Sequence, residues 1–180
     1  MHVHVALIGM KGVGKYSWFK TCFKIEDDEC SYQDRSFEYN GNQYSFAVVE
    51  ESEKYKEIND YIIDNLGKVD NGAAILIFSI TSKVSFDILS KRIDKIRQNT
   101  STIVIIGSKC DLESKRQVLK EEGEAFAKTI NANYFEVSST MNINCFNPLN
   151  EIHHSTKEVR QRTTLPFNIF LGMKKFGKQK

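Results

Sequence analysis

A glycine-rich segment near the start of the chain has the composition of a phosphate-binding loop. Residues 9–15 read GMKGVGK, between an apolar run that ends at Gly9 and a helical stretch. Glycines allow backbone N–H groups to curve around phosphate oxygens, and the N-terminus of the following helix adds partial positive charge. Lys15 would neutralise the outer phosphates. The alternative, a glycine-rich turn with a surface lysine, is disfavoured by the position between a strand and a helix. The residues expected to contact phosphate are Gly9, Lys11, Gly12, Val13, Gly14 and Lys15.

The loop departs from the template G-x-x-x-x-G-K-[ST] at its last position, where Tyr16 stands. The short hydroxyl of that template coordinates Mg²⁺. The phenol oxygen of Tyr16 lies too far from the backbone to replace it, and one step along a helix turns the neighbouring Ser17 by about 100°. We therefore expect Tyr16 and Ser17 to border the nucleotide but to bind Mg²⁺ poorly, unless water takes the place of the hydroxyl.

Alternating apolar runs and amphipathic stretches predict the elements that hold this loop. Strands are predicted at 3–8, 44–49, 73–80, 102–106 and 134–137, with a hairpin at Asn40-Gly41 between 35–39 and 42–49. Helical spacing relates Phe86 to Ile96, Leu119 to Ile130 and Phe146 to Val159, with Ser82 as an N-cap. The fold class is therefore α/β, with a mostly parallel sheet and one antiparallel edge.

Composition restricts the class of protein. The chain has 180 residues, 41% hydrophobic and 27% charged, and a net charge of +2. This is the size of one globular domain, without a global electrostatic drive toward nucleic acid. Its four cysteines include no C-x-x-C pair, so we expect neither a disulfide framework nor a zinc site.

The same features predict a cytoplasmic monomer. No apolar run is long enough to span a bilayer. The second residue is His2 rather than the Gly that myristoylation needs, and no Cys follows Cys145 for prenylation.

Four motifs in order along residues 3–162 resemble those of small GTPases of the Ras superfamily. Besides the phosphate loop, Ser108-Lys109-Cys110-Asp111 is similar to the N-K-x-D guanine motif, and Glu136-Val137-Ser138-Ser139-Thr140 to the E-T-S-A-K motif. Ser85-Phe86 begins a helix at the spacing that the family shows. The resemblance implies a Ras-like P-loop domain over residues 1–162, a six-stranded mixed sheet with helices on both faces, and binding of GTP and GDP. It also implies protein effectors or regulators as partners.

The resemblance assigns the guanine base to two of these segments. The Asp111 carboxylate would accept hydrogen bonds from guanine N1–H and N2–H₂, a donor pair that adenine lacks. The aliphatic stem of Lys109 would cover the base. The alternative for both is a solvated loop of mixed charge. Ser108 stands where the motif has Asn, so we expect the loss of an amide that ties loops together. Ser138, Ser139 and Thr140 would support the base-side loop.

The catalytic parts of the family pattern are largely missing. Where the D-T-A-G-Q motif is expected, residues 50–54 read EESEK, without the Gly at Glu53 or the Gln at Lys54. Glu50 is a weak candidate for a water-mediated Mg²⁺ contact, and the two adjacent acids would repel phosphate. The alternative for 50–56 is the charged first turn of a helix.

The loop Glu26–Ser36 also lacks the Thr of the first switch, leaving only Ser31 and Ser36 as chemical candidates. Lys11 would fill the space that an incoming arginine finger needs.

The resemblance therefore implies a small GTP-binding protein with weak or absent GTP hydrolysis and a doubtful Mg²⁺ site. The alternative is a pseudo-GTPase that acts as a protein-interaction module without a nucleotide cycle. A P-loop kinase is a third interpretation, disfavoured by the lack of a lid segment and by the segment Ser108–Asp111.

The last stretch, residues 163–180, mixes Lys with Phe, Leu and Met. Two interpretations stay open: a weak contact with anionic membrane, or packing on the domain with solvated lysines. His153 and His154 are expected to face solvent.

Overall fold

The computed structural model describes residues 2–25, 36–69 and 71–158, in which strands and helices alternate. The strands are β1 (His2–Gly9), β2 (Ser36–Tyr39), β3 (Asn42–Glu50), β4 (Gly72–Ser79), β5 (Thr102–Ser108) and β6 (Asn133–Val137). The α-helices are α1 (Lys15–Phe23), α2 (Lys56–Leu66), α3 (Lys83–Asn99), α4 (Lys120–Thr129) and α5 (Asn147–Glu158). Short 3₁₀ turns cover Glu53–Tyr55 and Glu113–Lys115.

The strands form one mixed sheet in the order β2-β3-β1-β4-β5-β6. β2 pairs with β3 in the antiparallel sense, and the remaining pairs are parallel. The predicted mostly parallel sheet with one antiparallel edge is thus confirmed. Because β1, β3, β4, β5 and β6 all run the same way, the loops after their carboxyl ends meet at one edge of the sheet.

Both faces of the sheet are covered by helices, as the resemblance implied. On β1, Val3, Val5 and Leu7 belong to an apolar cluster with residues of α1 and α5. Ala6 and Ile8 belong to a second cluster with residues of α2, α3 and α4. This two-sided burial explains why the central strands read as continuous apolar runs.

Local signals in the sequence positioned several turns correctly. Asn40 and Gly41 have φ of 49° and 71°, as a two-residue hairpin turn requires. Ser82 caps α3 by accepting a hydrogen bond from the backbone N–H of Ser85 at 3.3 Å. The apolar face predicted for this helix, Phe86 to Ile96, is buried.

Two side chains lie elsewhere than the sequence indicated. Leu119 is 57% exposed, because it occupies the N-cap position of α4 rather than its buried face. His153 was expected in solvent but is buried, with Nδ1 hydrogen-bonded to Nδ2 of Asn42 at 2.7 Å. His154 is exposed, as expected.

In the part of the chain that the structure describes, no helix combines the length and apolar character needed to cross a bilayer. The predictions for Cys30, Ser31, Val159 and the segment 163–180 fall outside the described residues.

Candidate functional site

The loop between β1 and α1 is shaped by two of its glycines. Gly9 lies so close to β4 that a Cβ there would come within 2.3 Å of the carbonyl oxygen of Ile77. Gly14, the N-cap of α1, has φ of 95°, which L side chains rarely adopt. No side chain caps this end of the helix, so its first N–H groups can bind an anion. The geometry therefore fits a phosphate group.

Lys15 is a buried cation at the centre of this loop. Its side chain folds back so that Nζ donates to the carbonyl oxygens of Gly9 at 2.6 Å and Met10 at 2.7 Å. Burial lowers the pKa of Lys15 to about 8, although the carboxylates of Glu50 and Glu51 act to raise it. The ammonium is thus held inside the curve of the loop, where a bound phosphate would meet it.

Ser108 ties the end of β5 to the phosphate loop. Its hydroxyl is buried and lies 2.5 Å from the carbonyl oxygen of Val13 and 2.8 Å from that of Phe78. The single hydroxyl proton is shared between these two acceptors. The expectation that Ser at this position would remove the tie between loops is therefore wrong for the contact with the phosphate loop. The short side chain keeps that contact because β5 passes directly beside Gly14.

Lys109 and Asp111 follow Ser108 in a turn with a left-handed residue. Lys109 has φ of 63°, and its Nζ donates to the carbonyl oxygen of Gly12 at 2.8 Å. The turn is held by hydrogen bonds from Cys110 N to Val137 O at 3.1 Å and from Leu112 N to Lys109 O at 2.9 Å. The side chain of Asp111 is exposed. Its carboxylate is therefore accessible to a base beside the phosphate loop.

The segment after β6 forms a second loop at this edge. Ser138 and Ile143 exchange two backbone hydrogen bonds of 3.1 and 2.9 Å, and the Ser138 hydroxyl accepts from Met141 N at 3.0 Å. The buried Ser138 side chain stabilises the loop from within, so a direct contact with a base falls to neighbouring atoms. The Ser139 carbonyl lies 3.3 Å from the Thr21 hydroxyl of α1, and Thr140 is exposed.

Trp18, the chain's only tryptophan, links α1 to this second loop. Its indole Nε1 donates to the carbonyl oxygen of Cys145 at 2.9 Å, and the ring is fully buried. The Cys22 thiol donates to the same oxygen at 3.1 Å. Burial raises the pKa of Cys22 far above its ordinary value and that of Cys145 to about 11, so both are thiols at neutral pH.

A group of ion pairs that the sequence did not reveal joins the segment after β5 to strand β6. Arg116 binds Glu136 at 2.7 and 2.9 Å and Glu113 at 2.8 and 2.7 Å. The Tyr134 hydroxyl donates to Glu136 at 2.9 Å. The guanidinium and the Glu136 carboxylate are mostly buried, which makes this paired geometry stronger than a surface ion pair. Opposite charges twenty residues apart gave no local signal of this contact.

The acidic segment after β3 lies against the phosphate loop. Glu50 is paired with Gly9 across the two strands, and Glu51 N donates to the Gly9 carbonyl oxygen at 3.2 Å. The Glu51 carboxylate is nearly buried and contacts Arg92 of α3 at 3.2 Å. Arg92 also binds Asp60 of α2 at 2.6 Å. The segment therefore forms part of an ion-pair network between β3, α2 and α3.

The remaining residues predicted for the nucleotide or metal site are partly or fully exposed, or lie apart from the phosphate loop. The Tyr16 ring lies along α1, with Lys20 Nζ 5.0 Å from its centroid, while Lys11 and Ser17 are exposed. Within residues 2–25, 36–69 and 71–158, no group of three or more His, Cys, Asp or Glu side chains could hold a metal ion. Glu50 stays a weak metal candidate, and Ser36 lies exposed at the start of β2.

The structure thus gathers the phosphate loop, residues 108–111 and the start of the acidic segment at one edge of the sheet. Residues 138–140 join them through the contact of Ser139 with Thr21, and through Cys145, whose thiol donates to Ser138 and whose carbonyl accepts from Trp18.

Comparison with known proteins agrees with this arrangement. Residues 4–158 match a model of the Ras family. The chain is 32% identical over 160 residues to Ras-related protein Rab-13 of Mesocricetus auratus, covering 79% of this chain and 75% of that protein. It is 30% identical over 159 residues to Ras-related protein Rab-8A of Bos taurus, covering 78% and 72%. It is 28% identical over 151 residues to GTP-binding protein rhb1 of Schizosaccharomyces pombe, covering 78% and 80%.

Proposed function

The chain belongs to the Ras family, and we propose that it binds the guanine nucleotides GTP and GDP and hydrolyses GTP slowly or not at all. The observation that carries the binding proposal is the buried Lys15 ammonium, held inside a loop that opens onto the uncapped N-terminus of α1. A buried cation beside a row of N–H groups is the arrangement that stabilises phosphate.

Selection of guanine falls to Asp111 and Lys109. The exposed Asp111 carboxylate follows a turn whose preceding lysine contacts the phosphate loop. A base bound beside that loop would meet the carboxylate with its N1–H and N2–H₂ edge, while adenine offers no such donor pair.

The proposal of slow hydrolysis rests on the side chain at position 54, beside the expected place of the outer phosphates. Phosphoryl transfer depends on positioning an attacking water and on stabilising charge in the transition state. Lys15 and the loop N–H groups supply the second requirement. At position 54 a lysine lies over the Tyr55 ring, at 5.1 Å from its centroid, in place of an amide that could orient water.

A second candidate function is a protein-interaction module without a nucleotide cycle. It is favoured by the internal hydrogen bonds of the site, since the ammonium groups of Lys15 and Lys109 both donate to carbonyl oxygens of the phosphate loop. These internal hydrogen bonds would help the loop to keep its shape in the absence of nucleotide.

Under either function we propose a cytoplasmic monomer that meets protein effectors or regulators. Contact of residues 163–180 with an anionic membrane is part of the same proposal, because this stretch combines four lysines with large apolar side chains. Sedimentation with anionic and neutral vesicles, compared between the full chain and a chain ending at residue 162, tests it. Equal sedimentation of both chains with anionic vesicles would contradict a role of this segment.

One experiment separates the two functions. The purified protein is denatured, the released nucleotides are identified by chromatography, and the stripped protein is titrated with GDP, GTP and ADP. Bound GDP or GTP, or saturable binding of either, supports the first function. Absence of both supports the interaction module. Single-turnover GTP hydrolysis as fast as that of an ordinary Ras-family GTPase assayed beside it would contradict slow hydrolysis.

A further inference from the structure

We propose that the site selects the nucleoside diphosphate over the triphosphate, because Glu50 and Glu51 flank the lysine that would hold the outermost phosphate. This inference rests on the proposed guanine-nucleotide binding and adds to it the number of phosphates that the site accepts.

The backbone places both acids beside Lys15. The Gly9 carbonyl oxygen accepts hydrogen bonds from Lys15 Nζ at 2.6 Å and from Glu51 N at 3.2 Å. Glu50 is the direct cross-strand neighbour of Gly9. Both carboxylates lie near enough to act on the Lys15 charge, and that of Glu51 is nearly buried against Arg92.

Two cations near these acids, Arg92 and Lys95, are already engaged by carboxylates. Arg92 lies against Glu51 at 3.2 Å and Asp60 at 2.6 Å, so its guanidinium is shared between two carboxylates. Lys95 likewise binds Asp60 at 3.1 Å and Asp64 at 3.2 Å. Within residues 2–25, 36–69 and 71–158, Lys15 is a cation on which both Glu50 and Glu51 act, so its charge is already partly balanced before a phosphate binds at this end of the loop.

A third phosphate adds negative charge on the side where these acids lie. In a phosphate loop the backbone N–H groups hold the inner phosphates, and the lysine reaches outward to the last ones. The terminal phosphate of a triphosphate would therefore approach Glu50 and Glu51 in a partly buried site, where solvent and salt screen repulsion weakly. A diphosphate keeps its charge nearer to the N–H groups.

The backbone of Glu50 and the side chain of Glu51 are both held before nucleotide arrives. Glu51 is anchored through Arg92, and Asn59 of α2 donates to the Glu50 carbonyl oxygen at 2.6 Å. The bonds of Lys95 to Asp60 and Asp64 fix α2 against α3 in turn. The segment is thus held in place from three elements, β3, α2 and α3, before any ligand binds.

The test compares dissociation constants of GDP and a non-hydrolysable GTP analogue for the stripped protein. We expect GDP to bind at least about tenfold more tightly, which corresponds to about 1.4 kcal/mol. Glu51→Gln should narrow this ratio several-fold by strengthening binding of the analogue. Glu124→Gln is the matched control, since it makes the same change to an acid of α4 that pairs with Lys120 outside this network, and it should leave the ratio unchanged. Measuring in EDTA removes any metal bridge between Glu50 and phosphate.

The outcomes are distinct. Equal affinities in the parent protein, or a ratio that Glu51→Gln and Glu124→Gln change equally, would overturn this inference and leave the proposed function standing. Binding of neither nucleotide would overturn both. If Glu51→Gln does not fold, as judged by circular dichroism, Glu50→Gln serves as the second variant, with the same expected narrowing and an unchanged ratio as the refuting result.

Discussion

Raising the pH should weaken nucleotide binding through Lys15. Burial lowers the pKa of its ammonium from 10.5 to about 8, even with Glu50 and Glu51 nearby. A bound phosphate favours the charged form, so the pKa of Lys15 must rise when nucleotide binds. Binding then takes up a proton wherever the free protein has lost it. Affinity should therefore be constant below the pKa of the free protein and fall above it.

The size of the effect follows from that pKa. With a free-state pKa of about 8, the charged fraction of Lys15 falls about tenfold from pH 7 to pH 9, and the dissociation constant should rise about tenfold, or about 1.4 kcal/mol. The assay is equilibrium titration with GDP over this pH range at constant ionic strength. Lys15→Arg is the matched control, because a guanidinium stays charged throughout and any titration of the base itself is common to both proteins.

Two results would refute the reasoning. One is a parent protein whose dissociation constant stays flat to about pH 9. The other is a profile that Lys15→Arg reproduces, since the titrating group would then lie elsewhere. Lys15→Ala completes the series: it should bind about tenfold or more weakly at pH 7, through loss of a charge-assisted hydrogen bond, and should lose the alkaline fall.

Three further predictions concern the base, the metal and the tie between loops. Asp111→Ala should abolish the preference for GDP over ADP in competitive titration, and a preference that survives would place base selection elsewhere. Adding EDTA should change the GDP dissociation rate only slightly in the parent protein, because Tyr16 replaces the short hydroxyl that would bind Mg²⁺. Tyr16→Ser should make that rate depend more strongly on Mg²⁺. Fast release of GDP from the parent protein in EDTA would show a conventional metal site. Ser108→Ala should lower the free energy of unfolding in urea by about 1 kcal/mol, since its buried hydroxyl bridges the carbonyls of Val13 and Phe78. An unchanged unfolding midpoint and slope would show that this bridge contributes nothing.

Much of the fold was predictable because its signals are local. The runs 73–80 and 102–106 are apolar at nearly every position, which matches strands covered on both sides. Asn40-Gly41 specified a hairpin through backbone conformation alone. Helical spacing identified the buried residues of α3 but misplaced Leu119, because spacing does not fix where a helix begins.

The candidate site was predictable only where its chemistry is contiguous in sequence. The phosphate loop and the turn containing Asp111 are short segments whose residue types and spacing predict their backbone geometry. The contacts Arg116–Glu136 and Glu51–Arg92 join residues far apart in the chain, and either carboxylate could have paired with many cations on the same surface. His153 was misplaced for the same reason, since its partner Asn42 lies 111 residues away in the sequence.

The intrinsic fluorescence of Trp18 can report on the candidate site. It follows Lys15 by less than one helical turn, and its indole N–H bonds to a carbonyl of the base-side loop, so its emission depends on both halves of the site. A fully buried indole emits at shorter wavelength than a hydrated one, so exposure of Trp18 to water would shift its emission. With one tryptophan in the chain, every change in that emission reports from this position. Unlabelled nucleotide can therefore be titrated, and the alkaline transition of Lys15 followed, without modifying either the protein or the ligand.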